Sequence, residues 1–205
     1  GQNDYFGFNV FLYPGSYQMW PFLTMDGAKI FDDMGNFTLN SAEGILALSK
    51  MVDLEAKYKV VPEEYGTLEE NAVWGDFIEK RKIAIYPAGP WAIQILFDRQ
   101  REGKGFEFDI AHYPTSQSSP TGIALVSGYG IFKQEDQNKK AMCGEFLKFI
   151  TSEKEQEALV NYGVFPAISD VSKRIITDPY MLKMKEILDN SEILPKVGDW
   201  HKVAE

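Results

Sequence analysis

The chain is short of the residues that most often carry chemistry: one cysteine, Cys143, and two histidines, His112 and His201, in 205 residues. A lone cysteine closes no intrachain disulfide, which fits a reducing compartment and equally a secreted bacterial protein built without disulfides. Cys143 falls in a helical stretch between Met142 and Phe146, where a small buried hydrophobe is expected rather than a nucleophile. Neither histidine has a Cys or Glu at ligand spacing, so no zinc site, other metal or cofactor is expected. There is no Gly-x-Ser-x-Gly elbow, no Gly-x-Gly-x-x-Gly and no P-loop, and Ser127-Gly-Tyr-Gly130 reads as a plain turn. Glu63-Glu64 and Glu69-Glu70 lie at turns and helix starts, where solvated charge is expected before a glycosidase pair. Nothing here demands an enzyme.

Positive charge is also scarce. Lys and Arg number 21 against 30 Asp and Glu, a net charge of −9, and the basic residues form no patch. That excludes a polynucleotide partner and disfavours an anionic membrane surface. No apolar run reaches the length of a membrane span. The first residues, Gly-Gln-Asn-Asp-Tyr-Phe-Gly, show neither the basic nor the apolar region of a targeting signal.

What is abundant is aromatic: 14% of the chain. Tyr5, Phe6, Phe8, Phe11, Tyr13, Tyr17, Trp20 and Phe22 crowd the beginning, interrupted by Pro14, Gly15 and Pro21. Rings in so broken a segment cannot all share one periodic stripe, and lining a pocket is the expectation. A second feature is the run KIAIYPAGPW at 82–91, which passes from an apolar strand through a turn onto Trp91. A strand-to-helix junction opens at the sheet edge, where open α/β folds hold ligands.

The pattern alternates strands and helices, so the fold class is α/β. Asn40 and Glu43 suit a helix cap, with Ile45, Leu48 and Val52 as the apolar face of a helix to about Tyr58. Thr67 and Glu70 repeat the capping logic ahead of a helix burying Val73, Trp74, Phe77 and Ile78. Strands are expected at 36–40, 83–86 and 106–113, and as a strand–turn–strand over 122–132. Gly89-Pro90 opens a helix over 90–100, and another over 138–151 buries Met142, Phe146, Phe149 and Ile150. Pro114 to Pro120 is loop; a helix capped by Ser152 and Glu155 stops at Gly163, and two more follow near 170–176 and 179–190.

The order of an aromatic segment with YQMWPFLTMDGAKIFDDMGNFTLNS, then FIEKRKIAIYPAGPW, then YGIFKQEDQNKKAMCGEFLKFITSEKEQEALVNYGVFPA, then EILPKVGDW resembles one family across nearly the whole chain. This is the family of extracellular solute-binding proteins of ABC sugar importers, and most closely its maltose/maltodextrin-binding branch. The resemblance implies the type II periplasmic-binding-protein fold, two α/β lobes that close by hinge bending around a sugar held between them. Residues 1–119 and 168–205 would form the C-terminal lobe, and 120–167 would belong to the other. It further implies that Tyr17, Trp91 and Trp200 stack on pyranose rings, with Trp20 in support. Maltose binders carry an acidic residue and proline just before the matching tyrosine. Gly15-Ser16 stand there instead, which removes one acceptor of sugar hydroxyls.

The partners so implied are a sugar or oligosaccharide and an ABC permease. The location is extracytoplasmic, in the periplasm or at the cell surface as a lipoprotein. Family members carry a signal peptide and a first lobe ahead of the equivalent of Tyr5-Phe6-Gly7, and a further helix after that of Trp200. A fragment is therefore expected, with uncovered faces in 120–167 favouring a dimer or domain swap. A carbohydrate-active enzyme or lectin-like module would use the same aromatics, and a core fragment without ligand would use none.

Overall fold

The computed structural model describes residues 5–12, 17–115 and 122–193. Its elements run β1 (Phe6–Phe8), α1 (Met19–Thr24), α2 (Ala42–Ala56), α3 (Glu70–Ile78), β2 (Ile83–Ile85), α4 (Trp91–Arg101) and β3 (Ile123–Ala124). They continue with α5 (Gln137–Ile150), α6 (Glu153–Ala158), a 3-10 turn (Leu159–Tyr162), α7 (Ser169–Ile175), α8 (Pro179–Asp189) and β4 (Glu192–Ile193). Chain contacts divide them into two compact units: Gly1–Ala88, Ala111–Ala124 and Ile187–Glu205 form one, Gly89–Ile110 and Leu125–Glu186 the other.

The first unit is built on parallel pairing. Phe6 lies opposite Ile83 and Phe8 opposite Ile85, while the Gly7 amide donates to the Val60 carbonyl at 2.8 Å. A parallel pair needs a long crossover, and α1 to α3 supply it. Alternation along the first strand then sends Phe8 and Val10 into a core with Trp20, Phe22, Leu23, Met25, Ile30, Met51 and Val61. Most of the early aromatics are therefore core rather than pocket lining; Trp20 is 3% exposed. In the same unit β3 pairs in parallel with β4, Ile123 opposite Glu192.

Several expectations are corrected here. Residues 36–40 form no strand, only a single bridge between Phe31 and Phe37. The cap of α2 is Ser41, whose Oγ accepts from the Gly44 amide at 3.2 Å, one residue after Asn40. Its buried face is Gly44, Ala47 and Met51, and Ile45, Leu48 and Val52 point to solvent. Small side chains decide this: a Cβ on Gly44 would stand 1.9 Å from the Leu39 carbonyl oxygen, so only the small-residue side can approach so closely. Helix α3 starts after Glu69 with no side-chain cap, and the Thr67 hydroxyl donates instead to the Glu64 carbonyl.

The second unit packs Ile93 of α4 against Ile176 and Met181, with Phe97, Ile110, Val160, Phe165 and Tyr180 around them. Residues 106–110 alternate in burial as a strand would, yet 106–113 form no ladder with any described residue. Phe108 packs on the rings of Phe97 and Tyr180, whose hydroxyl donates to the Phe108 carbonyl at 3.1 Å. Ring contacts and that one bond do the work of a neighbouring strand. Of the expected strand–turn–strand at 122–132 only β3 forms. Helix α5 is capped by Asp136 as a helix should be, but it buries nothing: Met142, Phe146 and Phe149 are all exposed, and Cys143 is half-buried.

One buried charge holds α1 to α2. The Asp26 side chain is 1% exposed, and the Lys50 ammonium bonds both its oxygens, at 2.7 and 2.6 Å. Removing one member of a buried pair costs about 3–5 kcal/mol, and water reaching half-exposed Lys50 reduces that. Lys50→Met should therefore lower stability by about 2 kcal/mol in urea unfolding, with a loss below about 0.5 kcal/mol showing that water already carries the Asp26 charge.

Candidate functional site

Where β1 ends, the chain makes a parallel bridge from Phe11 to Gly66, and the following described turn begins at Tyr17. Gln18, fully buried beside it, closes both ends of its amide. Its Oε1 accepts from the Phe11 amide at 3.2 Å, and its Nε2 donates to the Pro87 carbonyl just past β2. A buried amide so placed ties the Tyr17 turn both to the end of the first strand and to the exit of the second.

Tyr17 is half-buried, its ring edge-on to Phe11 at 5.5 Å, and its hydroxyl donates to Glu70 Oε1 at 2.9 Å. Glu70 is the first residue of α3, where the helix dipole favours negative charge. One turn on, Trp74 lies 5.3 Å from Tyr86, and Phe77 stacks on Tyr86 at 5.6 Å and 22°. Phe11, Val73 and Ile83 form the floor beneath Tyr17 and Tyr86. Rings, one amide and one carboxylate thus meet on a single face of the first unit.

Burial dominates the acid–base behaviour of these phenols. It raises the Tyr17 hydroxyl well above its ordinary value, helped by the bond to Glu70 and by charge on Tyr86 and Glu70. Burial also lifts Tyr86 to about 12, against a small pull downward from Gln18 and Tyr17 close by and with the Glu70 charge adding to the rise. The buried Tyr86 hydroxyl nevertheless completes no hydrogen bond of good geometry.

Trp91, in the second unit, is the first residue of α4 and half-buried. Pro90 supplies the helical φ ahead of it. The indole folds back over Gly89, where an added Cβ would lie 2.8 Å from Trp91 Cδ1. From the other side Gly163, at φ +67, comes so close that a Cβ would sit 2.5 Å from Trp91 Cα. Gly163 is therefore glycine because its backbone touches that of Pro90 and Trp91, and Gly89 because the indole lies over it. Trp200 lies outside the described residues, as do Gly15 and Ser16.

The structure thus gives Tyr17 and Trp91 defined, partly accessible settings in their own units. Reading along the sequence missed Gln18, Glu70 and Tyr86 as parts of a site. By sequence Glu70 reads as a capping residue and Tyr86 as the end of a strand. Among the described residues no three His, Cys, Asp or Glu side chains gather to hold a metal, and no helix is long and apolar enough to cross a membrane.

Residues 4–183 match the model of a family described as bacterial extracellular solute-binding protein. Among solved structures, the chain is similar to an ABC transporter solute-binding protein from Thermotoga lettingae bound with α-D-tagatose. That match has a TM-score of 0.78 at 20% identity, over 99% of this chain and 52% of that one. The maltotriose-bound maltose/maltodextrin-binding domain MalE of Bdellovibrio bacteriovorus aligns with a TM-score of 0.75 at 21% identity, over 98% and 52%. Maltose-bound MalE3 of T. maritima aligns at 0.67 and 24%, over 92% and 48%. The fold is theirs, and the chain spans about half the length of each.

The buried phenols carry a pH prediction. Tyr86 and Tyr65, both raised to about 12 from 10.0 chiefly by burial, keep their protons longer in the folded chain than in the unfolded one. Their contribution is complete below pH 10 and is lost as pH rises towards 12. Denaturant unfolding should show stability falling across that window, and Tyr86→Phe should make the fall shallower. An identical slope in the variant would place this hydroxyl in water.

Proposed function

Because the chain belongs to the bacterial extracellular solute-binding protein family, we propose that it serves an ABC importer as the substrate-binding component for a sugar or oligosaccharide. Proteins of this family carry a solute and leave it unchanged, so the reading is of a binder and not a catalyst. The observation that carries the choice of sugar is the setting of Trp91, a half-buried ring at a helix start that folds over Gly89 while Gly163 packs on its backbone. Pyranoses present a C–H face and a hydroxyl rim, which calls for flat aromatic platforms and a few fixed polar groups. Tyr17, with its hydroxyl anchored on Glu70, has the same character, and Trp200 completes the set that the family resemblance implies. The titles of the similar structures name maltose, maltotriose and tagatose, all carbohydrates.

The same reading places the protein outside the cytoplasm, in the periplasm or lipid-anchored at the cell surface, with a permease as its partner. A lectin-like module or a carbohydrate-active enzyme would share the platforms but has no counterpart in the family match.

The test is a saccharide screen on the complete protein followed through tryptophan emission. An aromatic platform adds about 0.5–1.5 kcal/mol beyond the area it buries. Trp91→Ala should therefore weaken the best sugar by roughly tenfold or more, and chromatography should return that sugar unaltered. Emission indifferent to every sugar, or an affinity untouched by Trp91→Ala, would remove the proposal.

A further inference from the structure

Glu70 is a half-buried carboxylate left without a counter-charge. It closes no ion pair with any described residue, and the nearest lysine along its own helix direction, Lys80, is held by Asp76 at 2.7 Å. Its one partner is the Tyr17 hydroxyl on Oε1. An ionised carboxylate offers about four acceptor positions and no donor, so Glu70 can accept from further hydroxyls while it holds Tyr17. Around it stand Tyr17 and, through the shared core, Tyr86, on whose hydroxyl the Glu70 charge also acts.

We infer that Glu70 is the hydroxyl-accepting and charge-selecting residue of the Tyr17 platform, restricting its ligand to neutral saccharides. This inference rests on the sugar-binding reading above. A neutral sugar brings hydroxyl donors, which the carboxylate oxygens accept in place of water. A uronate or sugar phosphate keeps other hydroxyls but brings a second negative charge, on a group that has no proton to give at neutral pH. In a partly buried setting that juxtaposition costs on the order of tenfold or more in affinity. Glu70 stands in the first turn of α3, where the positive end of the helix dipole suits a carboxylate.

The alternative is that Glu70 only holds the Tyr17 ring in place, and Glu70→Gln separates the two. A glutamine oxygen still accepts from the Tyr17 hydroxyl, so a purely positioning role survives, whereas the charge does not. The probes are neutral glucose-, galactose- and mannose-based oligosaccharides beside the same compounds oxidised at C6 to uronates, titrated calorimetrically into the complete protein. The unsubstituted protein should prefer the best neutral sugar over its uronate by roughly tenfold or more. Glu70→Gln should bind the neutral sugar roughly fivefold more weakly, because a bond to a neutral acceptor replaces one to a charged acceptor, and it should narrow the preference to about threefold or less. Tyr17→Phe, which keeps the ring and the carboxylate, should retain the preference. Circular dichroism melts confirm that both variants fold. A preference unchanged in Glu70→Gln, or lost equally in Tyr17→Phe, overturns the role of Glu70 and leaves the sugar-binding reading intact. Failure of every neutral sugar to bind the unsubstituted protein overturns both.

Discussion

A single buried amide sets the geometry on which the first unit's candidate site depends. Gln18 is fully enclosed, and an amide there must satisfy both its ends or cost the fold about 1–3 kcal/mol for each group stranded. It meets that demand by bonding the Phe11 amide and the Pro87 carbonyl, two segments that the sequence holds far apart. Apolar packing is non-directional and could tolerate Tyr17 in several positions. The two amide bonds leave it one, and the Glu70 contact at 2.9 Å then fixes how the ring presents itself. Specific placement comes from the polar group, and the rings around it supply the area.

Much of the local structure could be read from the residues. Gly89-Pro90-Trp91 does open a helix, because proline's fixed φ and missing N–H act within one turn and need no tertiary partner. The Asp32–Gly35 turn likewise follows from its own chemistry: Gly35 takes φ +81 and its amide donates to Asp32. Failures cluster where the outcome depends on what lies opposite. In α2 the pattern offered Ile45, Leu48 and Val52, but the opposite face of Gly44, Ala47 and Met51 packs closer and was the one buried. Periodicity shows that a stripe exists and not that anything covers it, as Met142, Phe146 and Phe149 also show. Residues 106–110 kept the alternation of a strand and found ring contacts in place of a ladder.

The candidate site divides in the same way. Trp91 was legible because its oddity is local, a large ring at a helix start. Gln18, Glu70 and Tyr86 were not, since each looks ordinary within five residues of itself. Only the crossing of β1, α3 and β2 makes them neighbours, and no spacing rule reports a contact between residues 17 and 70 or between 18 and 87. The family match supplies what spacing lacks, a known fold for those separations.

The parallel pairing of the strands has a consequence for how the chain comes into being. Phe6 must wait for Ile83, and Ile123 for Glu192, before either two-stranded ladder can close. A chain emerging from its N-terminus therefore carries β1 unpaired through all the residues that build α1, α2 and α3. Contacts of such high sequence separation are slow to form, because the entropy of closing the loop is lost before the contact rewards it. Until then Phe6, Phe8 and Val10 form a short apolar edge with nothing against it, the kind of segment that holding chaperones capture. Delay keeps such a chain extended for a time after its first strand has been made.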